Sequence, residues 1–175
     1  MTVEPVRTEK LDLLGHGWWD VRSANHVYRY EIGHRFGPGY LVGFTGINPS
    51  TAIAGEPDAT TRKWDGFARR WGFGGWVAVN PYALCSTDVR ALLKHPDPIG
   101  PRNDEMIVRA LDPAIEVVCC WGNPPSGKLV PRLLATARLL ATLGKPLRCV
   151  GRTQLGQPRH LLMEAYATPR EVFVP

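Results

Sequence analysis

Two asparagines that are each followed by proline, Asn48-Pro49 and Asn80-Pro81, stand where an apolar run stops. A side-chain amide carries both donors and acceptors, and the proline behind it stiffens the loop. Such an amide can orient a water or read the edge of a polar ring, because a mismatched partner leaves polar groups unpaired. Either pair also reads as a plain turn, with Ser50 and Thr51 as local caps after the first. Gly46 and Ile47 lead into Asn48, and Gly46 permits close approach of a ligand to backbone. Tyr82 follows the second pair. A third stretch, Gly151 to His160, gathers Arg152, Gln157, Arg159 and His160. His160 can supply a proton or stabilise a developing anion, and arginines suit phosphate. The plain alternative there is a basic, solvated loop. A fourth stretch, Gly122 to Lys128, fits the G-x-x-x-x-G-K spacing of a phosphate loop. Leu129 then stands where the magnesium-binding hydroxyl belongs, and Pro124 and Pro125 remove two N–H groups that would cradle phosphate. Nucleoside triphosphate hydrolysis is therefore not expected. The candidate nucleic-acid or phosphate contacts are Ser50, Lys128, Arg152, Gln157 and Arg159.

Each of these loops needs an element to hold it. Tyr40 to Ile47, Trp76 to Asn80, Ile115 to Trp121 and Leu147 to Val150 are short apolar runs of the kind buried parallel strands show. Ala59 to Trp71 reads as a helix capped by Asp58, with Trp64, Phe67, Ala68 and Trp71 on one face and Gly72 as its stop. A short helix runs from Thr87-Asp88 to Leu93, a longer one opens at Gly100-Pro101 and reaches Leu111, and another spans Val130 to Leu143. His26 to Ile32 alternates as an edge strand does, and Glu171 to Val174 suggests one more strand. Strands alternating with helices predict a single three-layer α/β/α domain with a mainly four-stranded parallel sheet. Residues 1–27 show no strong period and read as an irregular N-terminal segment, with residues 28–175 as the single α/β domain. In such sheets the site lies beyond the carboxyl ends of the strands, where the four loops are.

Composition bounds the reading. The 175 residues suit one domain, and the apolar fraction of 44% argues against disorder. The 21 basic and 16 acidic residues leave a charge of +5, which permits an anionic partner such as DNA without requiring one. No apolar run approaches the length of a membrane span, and no signal core follows the polar first residues, so the expected address is cytoplasmic. Cys85, Cys119, Cys120 and Cys149 form no zinc-type spacing. They read as small apolar fillers, and no metal or cofactor is expected.

Taken together, NPSTA, GFARRWGFGG, VNPYAL, GPRND, CWG and GQPRH resemble a bacterial and phage family of uncharacterised proteins, over about Tyr28 to Pro169. More distantly, the layout resembles the uracil-DNA glycosylase superfamily. Gly46-Ile47-Asn48-Pro49 is similar to the first motif of its mismatch-specific and thymine-DNA glycosylase branches. Val77 to Asn80 resembles the strand whose last residue reads the pyrimidine, and Gln157 to Leu161 occupies the place of the second motif. Ser50 replaces the usual Gly, the Asp-Pro-Tyr of the fastest branch is absent, and His160 comes late. The resemblance implies a uracil-DNA glycosylase-like fold and the hydrolysis of an N-glycosidic bond in DNA repair. Its substrate would be a deaminated or modified base, flipped from the stack. Asn48 would hold the attacking water. Gly46, Ile47, Asn80 and Tyr82 would bind the base, with Tyr82, Trp64 or Trp71 as a stacking ring. His160 or Arg159 would stabilise the departing base. The alternative is a protein of the same fold that binds a nucleobase, nucleoside or nucleotide without cleaving it. A protein-interaction module is a third class.

Overall fold

The computed structural model describes residues 4–50 and 54–175; Thr51, read above as a local cap, lies outside them. The strands are β1 (Val6–Leu11), β2 (Gly17–Arg22), β3 (Arg29–Arg35), β4 (Leu41–Thr45), β5 (Gly75–Val79), β6 (Ala114–Cys119), β7 (Leu147–Cys149) and β8 (Glu171–Val172). The helices are α1 (Ala59–Arg70), α2 (Asn103–Leu111) and α3 (Val130–Ala141). All eight strands join one sheet in the order β1-β2-β3-β5-β4-β6-β7-β8. Strands β5, β4, β6 and β7 run parallel, while β1, β2 and β3 on one side and β8 on the other pair antiparallel.

This sheet corrects the expected fold. Among the described residues it is an eight-stranded mixed sheet with three α-helices, not a mainly four-stranded parallel one, and a uracil-DNA glycosylase-like architecture is not what it shows. The expectation that residues 1–27 are irregular is corrected with it, since β1 and β2 form an antiparallel hairpin there. The physical reason is that neither strand alternates in the usual way. β1 is an edge strand exposed along its whole length, so it needs no apolar face. β2 places Trp19 and Val21 on one face but Asp20 and Arg22, also buried, on the other. The third helix named above begins at Asn103 rather than at Pro101, because Arg102 adopts a left-handed φ of 61°.

Strands β4 and β5 are buried throughout because helices cover both faces. On one face, Trp64, Phe67 and Ala68 of α1 pack on Val42, Phe44, Trp76 and Ala78. On the other, Ile107 and Leu111 of α2 and Leu133 and Leu140 of α3 pack on Val77, Val79, Val117 and Cys119. Asp58 caps α1 by accepting from the Thr61 N–H, and Arg69 and Arg70 fall in its last turn, where the helix dipole favours cations. The four cysteines are free, with three buried in the sheet. No helix among the described residues is long and apolar enough to cross a membrane.

Candidate functional site

The ladder puts Thr45 level with Val79 on one side and Cys119 on the other, so Gly46, Asn80 and Cys120 leave the sheet together. Gly46 donates its N–H to Val79 O, and Cys120 donates to Thr45 O. Asn80 is only 4% exposed. Its backbone carbonyl accepts from the Asn103 amide, which also donates to Pro81 O, and Arg132 Nε donates to Pro81 O at 2.8 Å. The turn after β5 is thus clamped by α2 and α3. The Asn80 side chain itself meets no hydrogen-bond partner among the described residues, although it lines a cleft. Its polar atoms open to the cleft rather than being sealed in the core, so a polar ligand there can bond them directly.

Gly46 is what lets that amide lie there. A Cβ built on it would stand 2.8 Å from Asn80 Oδ1. Beyond it, Asn48 donates both amide hydrogens to carbonyls, Pro49 O at 3.1 Å and Ser86 O at 2.9 Å. Two acceptor partners fix which end of the amide is nitrogen. Its Oδ1 has no donor among the described residues and stays available to hold a water. The loops after β4 and β5 are tied further, because Tyr82 N–H donates to Ile47 O and Ser86 N–H to Pro49 O.

His160 arrives from the loop after β7. Its Nδ1 accepts from Leu162 N–H at 3.2 Å, so the neutral ring carries its proton on Nε2 and offers a donor there. Burial lowers its pKa, partly offset by the Asp58 charge. Gly122, at a φ of +68°, makes room for it: a Cβ there would come within 3.2 Å of His160 Cβ. The phosphate-loop look-alike therefore buttresses the His160 loop, and Asn123 Oδ1 accepts from the Thr153 hydroxyl at 2.7 Å.

The cleft holds about 70 Å3 and is walled by Gly46, Ile47, Asn48, Ser50, Asn80 and His160. Arg29, Asp58, Thr60, Thr61 and Trp64 complete it. Arg29 was not foreseen as a site residue. It is 3% exposed, burial pushes its pKa down to about 10, and it remains a cation at neutral pH. Asp58 was foreseen only as a helix cap. Burial would raise its pKa, but the Thr61 N–H, the Ser50 and Thr61 hydroxyls and the nearby Arg29 charge outweigh that and hold it below the usual carboxylate value. Trp64 stacks on Phe44 with ring centroids 5.5 Å apart and turns its edge to the cleft. The family model described as protein of unknown function (DUF1643) matches residues 29–162. The chain belongs to the DUF1643 family. The matched span starts at Arg29 and contains every residue of the cleft, while β1 and β2 precede it. No curated protein and no solved structure matches the chain.

Six other candidates of this DUF1643 protein lie outside the cleft wall. Tyr82 is buried in the core and donates its hydroxyl to Leu129 O. Gln157 accepts from Trp121 Nε1 at 2.8 Å. Arg152 donates to Gly156 O and Val174 O, and its guanidinium lies over Phe173. Arg159 donates to Arg152 O and pairs with Glu164. Lys128 is exposed on a single 3-10 turn. Trp71 lies against Phe67, with Arg170 over its ring. Among the described residues, no group of three or more His, Cys, Asp or Glu side chains could hold a metal ion.

Proposed function

We propose that this protein hydrolyses the N-glycosidic bond of a deaminated or modified base in DNA. The observation that carries the proposal is the convergence of Asn48, Asn80 and His160, from three different strand-end loops, on one cleft that also holds Arg29 and Asp58. In this reading the unpartnered Asn80 amide reads the donor and acceptor edge of the flipped base, with Trp64 beside it. The Asn48 carbonyl oxygen holds the attacking water near C1′ by accepting a hydrogen bond, and the ionised Asp58 accepts the water's proton as the bond to carbon forms. The C1′–N bond breaks and its electron pair leaves with the base. His160 Nε2–H and the buried Arg29 cation stabilise that departing anion. The four free thiols suit the cytoplasm as its place of action.

One observation favours a second reading, binding without cleavage. Asp58 already accepts from Ser50, Thr61 N–H and the Thr61 hydroxyl, which makes it a reluctant base. The deciding experiment incubates the full chain with oligonucleotides that each carry one deaminated or modified base, and measures free base by mass spectrometry. Release from at least one of them, abolished in Asn80→Ala, is expected. A folded protein that binds such an oligonucleotide through Asn80 and releases nothing belongs to the second reading.

A further inference from the structure

The antiparallel strands that the sequence concealed bring a second cleft beside the first. It is lined by Thr8 and Lys10 of β1, Asp20 and Arg22 of β2, His26 of the turn that follows, and Ala54. Arg22 and Arg29 are direct cross-strand partners in the β2–β3 ladder. Both are buried, Arg22 at 9% and Arg29 at 3% exposed. Like charges opposite one another in a sheet repel, and burial strengthens the repulsion. Asp20 bonds Arg22 at 2.9 Å, and Asp58 acts on Arg29 from the other cleft. Asp20 acts on Arg29 as well, and Lys10, on the wall of the second cleft, forms no ion pair among the described residues. His26 adds a fourth basic group and is held at a left-handed φ of 58°. One arginine of the cross-strand pair lines the base cleft and the other lines the second cleft.

We infer that the cleft between the N-terminal hairpin and the segment at Ala54 is a phosphate subsite, in which Lys10, Arg22 and His26 hold the phosphate ester of the nucleotide whose base enters the Asn80 cleft. The inference rests on the proposed base cleft for the orientation of the ligand. The phosphate itself is recognised by Lys10, Arg22 and His26, while Asp20 on the same wall is held by Arg22 Nε. An anion seated across Arg22 and Arg29 offsets their repulsion, and a guanidinium fork matches phosphate oxygens. A diester in DNA and a free monophosphate carry this same chemistry.

The test uses two base-free probes, so that the identity of the base does not enter. One is a single-stranded oligonucleotide with one tetrahydrofuran abasic site, and the other is deoxyribose 5-phosphate. Each is titrated into the full chain by calorimetry over a range of salt. Lys10→Gln and His26→Gln leave the buried arginines in place and keep the fold testable by thermal unfolding. Each variant is expected to weaken the oligonucleotide roughly three- to tenfold, as loss of a hydrogen bond to phosphate does. Lys10→Gln should also flatten the slope of log affinity against log salt by about 0.7, the share of one single-strand phosphate. Dependence on Lys10 and His26 seen with the oligonucleotide assigns the subsite to DNA, and dependence seen with the sugar phosphate alone assigns it to a free nucleotide. Variants that bind both probes as the wild type does overturn the subsite. Failure of the base cleft shows separately, as Asn80→Ala having no effect on a base-containing oligonucleotide.

Discussion

Gly46→Ala isolates the placement of the Asn80 amide from everything else in the site. The backbone of Gly46 is not left-handed, so alanine is conformationally allowed. The built Cβ lies 2.8 Å from Asn80 Oδ1, and its next neighbour, Trp64 Cζ2, is an ordinary contact at 3.9 Å. Carbon and oxygen rest at about 3.3 Å or more, so the amide must retreat by about 0.5 Å. A misplacement of about 1 Å costs roughly a hundredfold in rate, and half of it on a logarithmic scale costs roughly tenfold. Stability should change little. Alanine restricts the unfolded chain by about 0.4–1 kcal/mol, and the local crowding offsets this. The melting temperature should therefore stay within about 4 °C. The assay pairs base release, or binding of a base-containing oligonucleotide, with thermal unfolding, in wild-type and Asn80→Ala backgrounds. Without the Asn80 amide the methyl group has nothing to displace, so Gly46→Ala should add no further loss there. Equal losses in both backgrounds, or none in the wild type, would refute the reasoning.

Three further outcomes are expected. Asn103→Ala removes both donors from Asn80 O and Pro81 O and should lower stability by about 1–3 kcal/mol in chemical unfolding, with weaker ligand binding because the turn after β5 loosens. Asp58→Asn keeps a capping side chain but loses the charge beside Arg29. It should reduce base release by roughly 10²–10⁴ while an abasic oligonucleotide still binds, and release at the wild-type rate would remove Asp58 from the mechanism. Burial lowers the His160 pKa below its ordinary 6.5, so the unfolded chain takes up that proton more readily and stability falls as pH drops below 6.5. Above 6.5 the contribution is complete. His160→Gln should flatten the melting temperature between about pH 7.5 and about pH 5.5 relative to wild type. The Asp58 contribution is separable, because its lowered pKa confines the loss to pH values below the ordinary 3.8.

Asn48 and Asn80 were legible because each follows a run of residues apolar on both faces, and His160 because its loop leaves a strand whose carboxyl end lies at the same edge of the sheet. Arg29 was not, for it sits in HVYRYEI, where it looks like the solvent side of an edge strand. Its burial comes from β2, which extends the sheet past it, and β2 mixes tryptophan, aspartate and arginine without a readable period. Asp58 was readable as a cap, because capping is local. That the same carboxylate also walls a cleft depends on how α1 lies against β4 and β5. The hydrogen-bonding wealth of the Gly151 to His160 loop was legible, but not its use. Arg152, Gln157 and Arg159 spend their donors and acceptors on the loop and its neighbours, and Thr153 N–H and Gln157 O close it.

Strand β4 lies at the centre of the sheet, and both of its ladder partners, β5 and β6, follow it in the chain. During synthesis β1, β2 and β3 can pair as soon as they emerge, since hairpins close locally and quickly. The Leu41–Thr45 strand must wait until its two crossovers are made. In that interval an apolar, β-prone stretch is uncovered, with Phe44 and Val42 among its side chains. This is the stretch of the nascent chain most open to wrong pairing with another copy. The glycine and asparagine that follow it reach their working positions only when the last parallel strand has docked, so an unfinished chain carries no cleft.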